Sequence, residues 1–546
     1  MYAAKMSLLN RRHFILTGLQ GLGALALPGW AQSAMPLTGF THGIASGEPG
    51  ARSVLLWTRF VASSDARLQC EVSASPDFKR VVAGGIAIAS AARDHTARLT
   101  VTGLQPNRWY HYRFIAPDGS ISAVGRTRTL PVGHTEKFNL GVFCCSSIGV
   151  GWFNAYAHAA QRDDLDLLVH VGDYIYEYGL SPDPEGRRTQ PARDIDPSDE
   201  TITLADYRLR YALYRRDPDL LALHARYPMV VQWDDHELAN DAWQGGAQNH
   251  DDEEGPWSVR RDTAIQAYRD WMPVSDANWN QYQIGDLATL FKVETRITGR
   301  SKQLDMGEAL VGRTDIEAAL REFRDGPWLD PARSMLGAEQ ERWLADALRS
   351  STRIRTRWQV LAQQTVMGEW LMAPEVASWL GGDRNSGQYG RAQRSLMASQ
   401  LGLPWSLDNW SGYPAARQRL LTSALQADAN LLVLSGDSHT AWGQNLTVGT
   451  QAAGVEFAGH AVTSGGMEGM FPRTSPRDVA AALQRANPGL LLSETERRGY
   501  MSVHLSPQQA HCDWHFFNTV RQRETHLAET RRLSVEPGRR VLQRAG

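Results

Sequence analysis

Three clusters of acidic and histidine side chains, each directly after an apolar run, constrain this sequence most. One run leads into Asp173 and Tyr176 in VHVGDYIYEY (169–178), and similar runs precede WDDHE (233–237) and SGDSH (435–439). Short apolar runs favour buried strands, and open α/β sheets place their active sites at the carboxyl ends of their strands. A single Asp at such a position is usually a turn residue. Three successive clusters instead predict one site that binds more than one metal ion.

The chemistry of these side chains points to hard cations. A carboxylate such as Asp173 can bridge two cations, and the phenolate of Tyr176 is a ligand for ferric iron. A thiolate is a third kind of donor, and FNLGVFCCSS (138–147) predicts a strand that ends at Cys144 and Cys145. Its position makes Cys145 equally compatible with a ligand and with a small core residue, whereas Cys144 fits the core better. With four cysteines, two of them adjacent, the chain does not have the pattern of a disulfide scaffold.

The length and pattern of the chain predict two domains after an N-terminal segment. At 546 residues the chain is too long for one ordinary core. Short alternating runs and turn signals in residues 40–132 predict a small all-β sandwich, and Pro and Gly residues between 125 and 134 mark its end. From residue 138 onward strand-like runs alternate with helix-like segments, such as 207–226, which is typical of α/β domains. We therefore place an all-β domain at 35–132 and an α/β domain at 133–546.

The first 34 residues carry the features of an export signal. An arginine pair, Arg11 and Arg12, precedes an apolar stretch at 15–27, which small residues follow. This pattern is that of a twin-arginine signal with cleavage near Ala31 or Ala34. A membrane anchor is the alternative, but about 13 apolar residues fall short of the ~20 that span a bilayer. Export predicts a periplasmic or secreted protein that uses the twin-arginine translocase, and no other stretch of the sequence is apolar enough to cross a membrane.

Charge and local pattern add expectations about partners and single elements. The formal net charge of −2 gives no basic field for nucleic acid. Polar segments rich in Pro, Asp or Gly at 179–203 and 243–257 predict long loops over the site. The remaining predicted elements are a helix at 336–348, buried strands at 357–365 and 429–439, and a hairpin at 499–518.

Six motifs follow one another along the chain and carry a family resemblance. They are VFCCS (142–146), GDYIYEYG (172–179), WDDHELAND (233–241), LGAEQERWL (336–344), DNWSGYPAAR (408–417) and SGDSHTAW (435–442). In this order they resemble the PhoD-type alkaline phosphatases, a branch of the calcineurin-like metallophosphoesterases. The segment at 40–60 is similar to the sandwich domain that precedes the catalytic domain in that family. The resemblance implies a two-sheet α/β metallophosphoesterase sandwich flanked by helices, preceded by a small all-β, fibronectin III-like sandwich domain.

The resemblance also implies an iron ion with a calcium ion beside it. The implied iron ligands are Cys145, Asp173, Tyr176 and His439, a set of thiolate, carboxylate, phenolate and imidazole donors that suits Fe³⁺. Asp173 is at the same time the carboxylate that bridges to the second metal. The other ligands of that metal are Asp235, Asp437 and Gln364, the last of which stands where the superfamily has a histidine. Oxygen donors of this kind suit Ca²⁺ over zinc, and other divalent cations remain alternatives.

The implied function is an exported, metal-dependent alkaline phosphatase in which a metal-bound hydroxide attacks a phosphate ester. His236 takes the position of the catalytic histidine, which stabilises the phosphoryl group or protonates the leaving oxygen. Asp408 and Asn240 are candidates for the ligands of a third cation. Arg296 and Arg417 are either clamps on the phosphoryl group or members of buried ion pairs, and the ion pair is the commoner use of such residues.

Two other functions are compatible with the sequence. A phosphodiesterase, phospholipase D-like or active on teichoic-acid-type substrates, would use the same ligands and differ only in its cleft. A non-catalytic extracellular binding protein built on the sandwich domain would need none of them. Ser146 and Ser147 follow Cys145, but without a G-x-S-x-G motif they do not predict a serine nucleophile.

Overall fold

The structure, a computed structural model, describes residues 38–180, 193–379 and 387–544. The predicted export signal at 1–34 and residues 181–192 of a predicted loop lie outside the described residues. The strands are β1 (Gly39–Gly47), β2 (Ser53–Val61), β3 (Ala66–Ser73), β4 (Val81–Ala89), β5 (Thr96–Thr102), β6 (Trp109–Ile115), β7 (Gly125–Arg128), β8 (Phe138–Phe143), β9 (Leu167–His170), β10 (Pro228–Val231), β11 (Asn280–Ile284), β12 (Ala288–Lys292), β13 (Trp358–Ala362), β14 (Leu431–Ser435), β15 (Ala441–Val448), β16 (Gln451–Ala458), β17 (Leu490–Glu494), β18 (Gly499–Leu505), β19 (Ala510–Phe517), β20 (Leu527–Val535) and β21 (Gln543–Arg544). The helices are α1 (Asn154–Ala160), α2 (Leu204–Tyr214), α3 (Pro218–Arg226), α4 (Trp257–Trp271), α5 (Met306–Ala309), α6 (Ile316–Asp325), α7 (Gly337–Arg353), α8 (Val376–Trp379), α9 (Gly387–Gln400), α10 (Pro414–Gln426) and α11 (Pro476–Ala486).

Most of the elements predicted from the sequence are present. The helix at 336–348 is the first part of α7, the two buried strands are β13 and β14, and the hairpin is formed by β18 and β19. The prediction of one helix-like segment at 207–226 is wrong, because these residues are divided between α2 and α3. Asp217 caps the start of α3 by accepting hydrogen bonds from the N–H groups of Asp219 and Leu220, and Pro218 occupies its first position. An Asp-Pro pair of this kind favours a new helix start over continuation.

Two mixed sheets form the α/β part of the molecule. One has ten strands in the order β21-β20-β19-β18-β8-β9-β10-β1-β2-β5, in which β8, β9, β10 and β1 are parallel. The other has seven strands in the order β11-β12-β13-β14-β16-β15-β17, in which β12, β13, β14 and β16 are parallel. Parallel neighbours end on the same edge of a sheet, so the loops that follow them are brought together.

The two sheets face each other across a shared apolar core, and helices cover their outer faces. Val142 and Val169 of the ten-stranded sheet lie in one buried cluster with Val360, Leu432 and Val455 of the seven-stranded sheet. The apolar sides of α1, α2, α3 and α4 pack in a second cluster with the outer face of the ten-stranded sheet. Those of α7 and α10 pack on the seven-stranded sheet. This arrangement confirms the two-sheet α/β sandwich flanked by helices.

The N-terminal region is all-β, as predicted, and part of it continues the larger sheet. Strands β3, β4, β6 and β7 form a separate four-stranded sheet, whereas β1, β2 and β5 extend the ten-stranded sheet. The junction is the parallel pair of β1 with β10, at Ser46–Pro228 and Gly47–Met229. A Cβ atom at Gly47 would lie 2.1 Å from the carbonyl oxygen of Pro273, so only glycine permits this approach. The domain boundary at 132 stays a prediction from the sequence.

Buried neutral histidines make the fold sensitive to acid. Burial lowers the pKa of His170 to about 3. The Gly172 N–H donates to Nδ1 of His170, so Nε2 carries the proton and donates to Oη of Tyr156 at 2.9 Å. The pKa of a histidine in the unfolded chain is near 6.5. Below that pH, His170 therefore binds a proton in the unfolded chain but stays neutral in the folded chain. The free energy of unfolding therefore falls from about pH 6.5 downward, by about 2 kcal/mol for this residue at pH 5.

Urea unfolding at pH 7 and pH 5 measures this contribution. We expect the loss of stability between the two pH values to be about 2 kcal/mol smaller in His170→Gln than in the natural chain. His134 is an exposed histidine, so His134→Gln should keep the full loss. An equal loss in His170→Gln and the natural chain would mean that His170 already binds its proton in the folded state.

Candidate metal centre

The loops that follow four parallel strands converge and bring the predicted site residues together. Cys145 follows β8, Asp173 and Tyr176 follow β9, Asp235 and His236 follow β10, and Asp437 and His439 follow β14. The first three strands belong to the ten-stranded sheet and β14 to the seven-stranded sheet. The site therefore lies at the edge where the carboxyl ends of both sheets meet, as expected for α/β sheets.

One group of donors combines four kinds of side chain. The ligand atoms of Cys145, Asp173 and His439 lie within 4.8 Å of one another. The hydroxyl of Tyr176 lies 3.0 Å from Oδ2 of Asp173 and 3.1 Å from Nε2 of His439. Nδ1 of His439 donates to the carbonyl oxygen of Gly465 at 2.6 Å, which turns Nε2 toward the group. These four side chains are the ones that the family resemblance implies as ligands of an iron ion.

A second, oxygen-rich group adjoins the first. Asp234, Asp235 and Asp437 have ligand atoms within 4.8 Å of one another, and so do Asp173, Asp235 and His236. Asp173 and Asp235 thus link the two groups into one continuous centre. A third set, Asp235 with Asp241 and Asp408, extends the acidic side further. Asp408, which the sequence analysis named as a candidate ligand of a third cation, therefore belongs to the acidic side of the centre.

The backbone is strained at the donor residues. The φ angles are 59° at Cys145, 56° at Asp173, 64° at Asp437 and 55° at His439, all in the left-handed region. Residues with a Cβ rarely adopt this conformation, and each instance costs about 1–3 kcal/mol. A strained backbone persists only where the surrounding structure holds it in place. At these four positions the strained conformation directs the side chains into the centre.

The protein groups around the donor side chains do not satisfy them fully, which favours the binding of cations. Oδ1 of Asp173 is buried without any hydrogen-bond partner among the described residues. Burial raises the pKa of the Cys145 thiol, the Tyr176 hydroxyl and the Asp437 carboxyl well above their ordinary values. Anions at these positions are costly unless positive charge compensates them. A cation shared by Cys145, Asp173, Tyr176 and His439 would supply that charge. A second cation beside Asp235 and Asp437 would add to the positive charge of Arg296, whose Nη2 lies 3.1 Å from Asp437.

Comparison with known proteins assigns the chain to a family. The family model described as PhoD-like phosphatase matches residues 140–514, and the model for the PhoD-like phosphatase N-terminal domain matches residues 27–131. The chain belongs to the PhoD-like phosphatase family. Membership confirms the resemblance seen in the motifs and makes the chain a phosphoric ester hydrolase.

Two individual relatives agree with this assignment. Alkaline phosphatase D of Bacillus subtilis (strain 168) is 31% identical over 501 residues, which cover 87% of this chain and 77% of that protein. The solved structure of PhoD superposes with a TM-score of 0.75 at 28% identity, covering 95% of this chain and 94% of the other. The likeness thus spans the all-β region as well as the α/β sandwich of the PhoD-like phosphatase. Within the part of the chain that the structure describes, no helix is long and apolar enough to span a membrane.

A buried arginine lies inside the acidic half of the PhoD-like centre. Arg296, in the loop after β12, has a fully buried side chain. Its Nε donates to Asp234, its Nη1 donates to Asp408 at 2.7 Å, and its Nη2 donates to Asp437 at 3.1 Å and lies 3.6 Å from Asp235. Of the two uses predicted for Arg296, the structure shows the buried ion pair, made with four carboxylates at once.

Two glutamates that the sequence analysis passed over hold the centre in shape. Glu237 accepts hydrogen bonds from the N–H groups of Asp173, Tyr174 and Asp234, which fixes the loop after β9 against the loop after β10. Glu177 accepts from Nδ1 of His236 at 2.7 Å. Both glutamates stand inside the motifs GDYIYE and DDHE. Their place in those motifs was the signal that could have identified them.

The Glu177 carboxylate also governs the protonation of His236. Burial by itself would lower the pKa of His236, but the negative charges of Glu177, Asp235 and Asp173 raise it well above its ordinary value. These negative charges favour the protonated form of His236. The N–H of Asn240 and the amide of Asn249 donate to the other oxygen of Glu177 and keep it in place.

Gln364 and Asn240, both considered as metal ligands, are bonded elsewhere. The Gln364 amide donates to the carbonyl oxygens of Trp233 and Val293, and its oxygen accepts from the Thr295 hydroxyl at 2.8 Å. These bonds tie the loops after β10 and β12 to the end of β13. Asn240 points its amide at Gln248, 3.0 Å away. The structure thus brings neither side chain into the donor groups.

Two further candidate site residues, Cys144 and Arg417, have structural roles. Cys144 places its Sγ 3.7 Å from the carbonyl oxygens of Gly459 and His460, within the apolar cluster between the sheets. Arg417 donates from Nε to the carbonyl oxygen of Met367 and pairs with Glu369 at 3.6 Å, which is a structural use and not a phosphate clamp. All four cysteines are buried and unpaired, as expected for a chain without a disulfide scaffold.

Proposed function

We propose that this PhoD-like phosphatase is a metal-dependent alkaline phosphatase that hydrolyses phosphate monoesters. The proposed ligands of an iron ion are Cys145, Asp173, Tyr176 and His439, and those of a second, harder cation such as calcium are Asp235 and Asp437, with Asp173 between the two. The observation that carries the proposal is the convergence of these side chains from four strand ends into adjoining groups whose ligand atoms lie within 4.8 Å of one another, with Tyr176 hydrogen-bonded to Asp173 and His439. Gln364 is given a positioning role instead of a ligand role, because its amide is already bonded.

The proposed mechanism assigns separate tasks to the protein groups. Cations bound here would lower the pKa of water and offset negative charge on the phosphoryl group. Asp173 and Asp235 each contribute ligand atoms to more than one group of donors. His236, kept protonated and oriented by Glu177, donates its proton to the leaving oxygen as the ester bond breaks. The hydrogen bonds of Glu237 keep the two main loops in register during the reaction.

The role of Glu177 can be tested through the pH dependence of turnover. Glu177→Gln removes the largest charge that raises the pKa of His236. His236, whose Nδ1 lies 2.7 Å from Glu177, then loses its proton at a lower pH, so we expect the alkaline fall of kcat to move to lower pH. A pH–rate profile with p-nitrophenyl phosphate measures this shift. An unshifted profile with a uniformly lower kcat would make Glu177 a structural residue only.

Preference for a monoester separates the proposal from its alternatives. A phosphodiesterase would share the same donor groups, so the distinction lies in the substrate. We expect kcat/KM to be higher for p-nitrophenyl phosphate than for bis-p-nitrophenyl phosphate. The reverse order would replace the proposal with a phosphodiesterase, and no hydrolysis of either compound would favour a binding protein.

We also propose export by the twin-arginine route to the periplasm or the medium. The support is the sequence pattern of Arg11, Arg12 and the apolar stretch at 15–27, which precedes the described residues. Replacing both arginines by lysine should leave an uncleaved precursor in the cytoplasm, as seen by cell fractionation. Cleavage and export of that variant at the normal level would contradict the route.

A further inference from the structure

A basic cavity lies on the opposite edge of the seven-stranded sheet from the metal centre. It has a volume of about 590 Å³ and lies between the end of α7 and the turn that follows α10. Its lining includes Arg349, Arg353, Arg355 and Arg357 together with the polar groups of Thr352 and Gln426. The cavity adjoins the amino ends of β13 and β14, whereas the metal centre adjoins the carboxyl end of β14. Strands of five residues separate the two edges by about 17 Å.

Three of these arginines have no charge to balance them. Arg349 pairs with Asp346 on its own helix. The only acidic residue in the lining is Asp428, and its carboxylate is paired with Arg540. Within the described ranges, the exposed side chains of Arg353, Arg355 and Arg357 form neither an ion pair nor a hydrogen bond. The cavity therefore concentrates positive charge on a chain whose formal net charge is −2.

The floor of the cavity is fixed by buried hydrogen bonds. Gln359 is fully buried and donates to the Ser351 hydroxyl at 3.1 Å and to the carbonyl oxygen of Thr356 at 2.9 Å. Its oxygen accepts from the N–H of Asn430 at 2.8 Å, and the Asn430 amide donates to the carbonyl oxygen of Arg357 at 2.8 Å. The two walls are thus tied together before any ligand binds, which lowers the cost of binding.

A structural use accounts for only part of this charge. Arg349 and Arg353 lie in the last turns of α7, where cations stabilise the negative end of the helix dipole. Arg355 and Arg357 lie beyond the helix end and gain nothing from that dipole. The φ angle of 63° at Arg355 belongs to the end of α7, where the N–H of Arg355 donates to the carbonyl oxygen of Thr352 and the N–H of Thr356 donates to that of Ser351, as in a Schellman motif.

We propose that this cavity is an accessory binding site for an anion that carries at least two phosphate groups, such as a linear polyphosphate in solution. The guanidinium group matches the oxygens of a phosphate with paired N–H donors. Three unbalanced arginines around a cavity of about 590 Å³ exceed what one phosphate group can neutralise or fill. The proposal does not depend on the metals, the substrate or the mechanism of the centre on the other edge.

Titration calorimetry with sodium tripolyphosphate tests the site. The test variant is the triple substitution Arg353→Gln/Arg355→Asn/Arg357→Gln, in which asparagine suits the left-handed position. The matched control is Arg52→Gln/Arg67→Gln/Arg80→Gln, which removes the same charge at exposed positions outside the cavity. Chelation of metals by the probe affects the natural chain and both variants alike. We expect affinity at least about tenfold weaker in the test variant only, a change of about 1.4 kcal/mol.

Three results would overturn the proposal. Equal tripolyphosphate affinity in both variants would show that general charge, and not the cavity, binds the probe. Orthophosphate binding as tightly as tripolyphosphate, and weakened to the same extent in the test variant, would reduce the ligand to a single phosphate. Binding of the natural chain to vesicles of equal parts phosphatidylglycerol and phosphatidylcholine, lost in the test variant and without tripolyphosphate binding, would assign the surface to a membrane. Hydrolysis of p-nitrophenyl phosphate should be the same in both variants, which keeps this test separate from that of the metal centre.

Discussion

Replacing Asp173 by Asn is expected to lower kcat for p-nitrophenyl phosphate by about 1000-fold or more, with the fold retained. Asp173 belongs to both groups of donors, so its charge is the one that neighbouring cations would share. Its Oδ1 is buried and unsatisfied among the described residues. The amide of asparagine fills the same space but removes the negative charge. We therefore expect weaker retention of metal together with the loss of turnover.

The matched control for this substitution is Asp262→Asn on the exposed side of α4, where the carboxylate pairs with Arg261 and with no other of the described residues. That variant should keep the activity of the natural chain. Circular dichroism and the melting temperature should show that Asp173→Asn remains folded. A folded Asp173→Asn variant with undiminished turnover would contradict the catalytic account and favour the non-catalytic binding protein.

Replacing Arg296 by Met is expected to lower the free energy of unfolding by about 3–5 kcal/mol in the presence of a chelator. Arg296 neutralises Asp234, Asp235, Asp408 and Asp437, and its loss leaves these carboxylates facing one another with little water. Calcium should restore more stability to the variant than to the natural chain, because the cation takes over the neutralising role. Urea unfolding with and without added calcium measures both effects.

An exposed arginine provides the control for this result. Arg313 pairs with Asp315 and Glu322 on the surface, and Arg313→Met should change stability little, because exposed ion pairs contribute little. A small change in Arg296→Met as well would mean that the four carboxylates are protonated or that other groups balance them. Equal effects of calcium on the variant and the natural chain would mean that the cation does not bind at these aspartates.

The sequence predicts those residues of the centre that follow the ends of strands. Asp173, Asp235 and Asp437 each come directly after an apolar strand, and parallel strands deliver such residues to one edge. The motifs added Cys145 and Tyr176, whose positions by themselves did not separate a ligand from a core residue. Local pattern and motif order therefore sufficed to select side chains that the fold brings close together.

Interactions between distant segments were beyond the reach of the sequence. Arg296 is separated from Asp408 by more than 100 residues, and no local pattern signals their pairing. Glu237 acts by accepting backbone N–H bonds from a different loop, which leaves no trace in the spacing of side chains. The parallel pairing of β1 with β10 likewise depends on close backbone approach at Gly47 and not on alternation. Gln364 was named as a ligand because it stands where the superfamily has a histidine, and the sequence does not reveal that its amide is bonded to Trp233 and Val293.

The metal content of the purified protein tests the central claim most directly. Elemental analysis, combined with a visible absorption spectrum, should find iron, a second divalent cation and a charge-transfer band. The band should weaken and shift in Tyr176→Phe, which removes the phenolate beside Asp173 and His439 but keeps the Cys145 thiolate. A colourless, iron-free enzyme with full activity would contradict the assignment of Cys145 and Tyr176 to a metal.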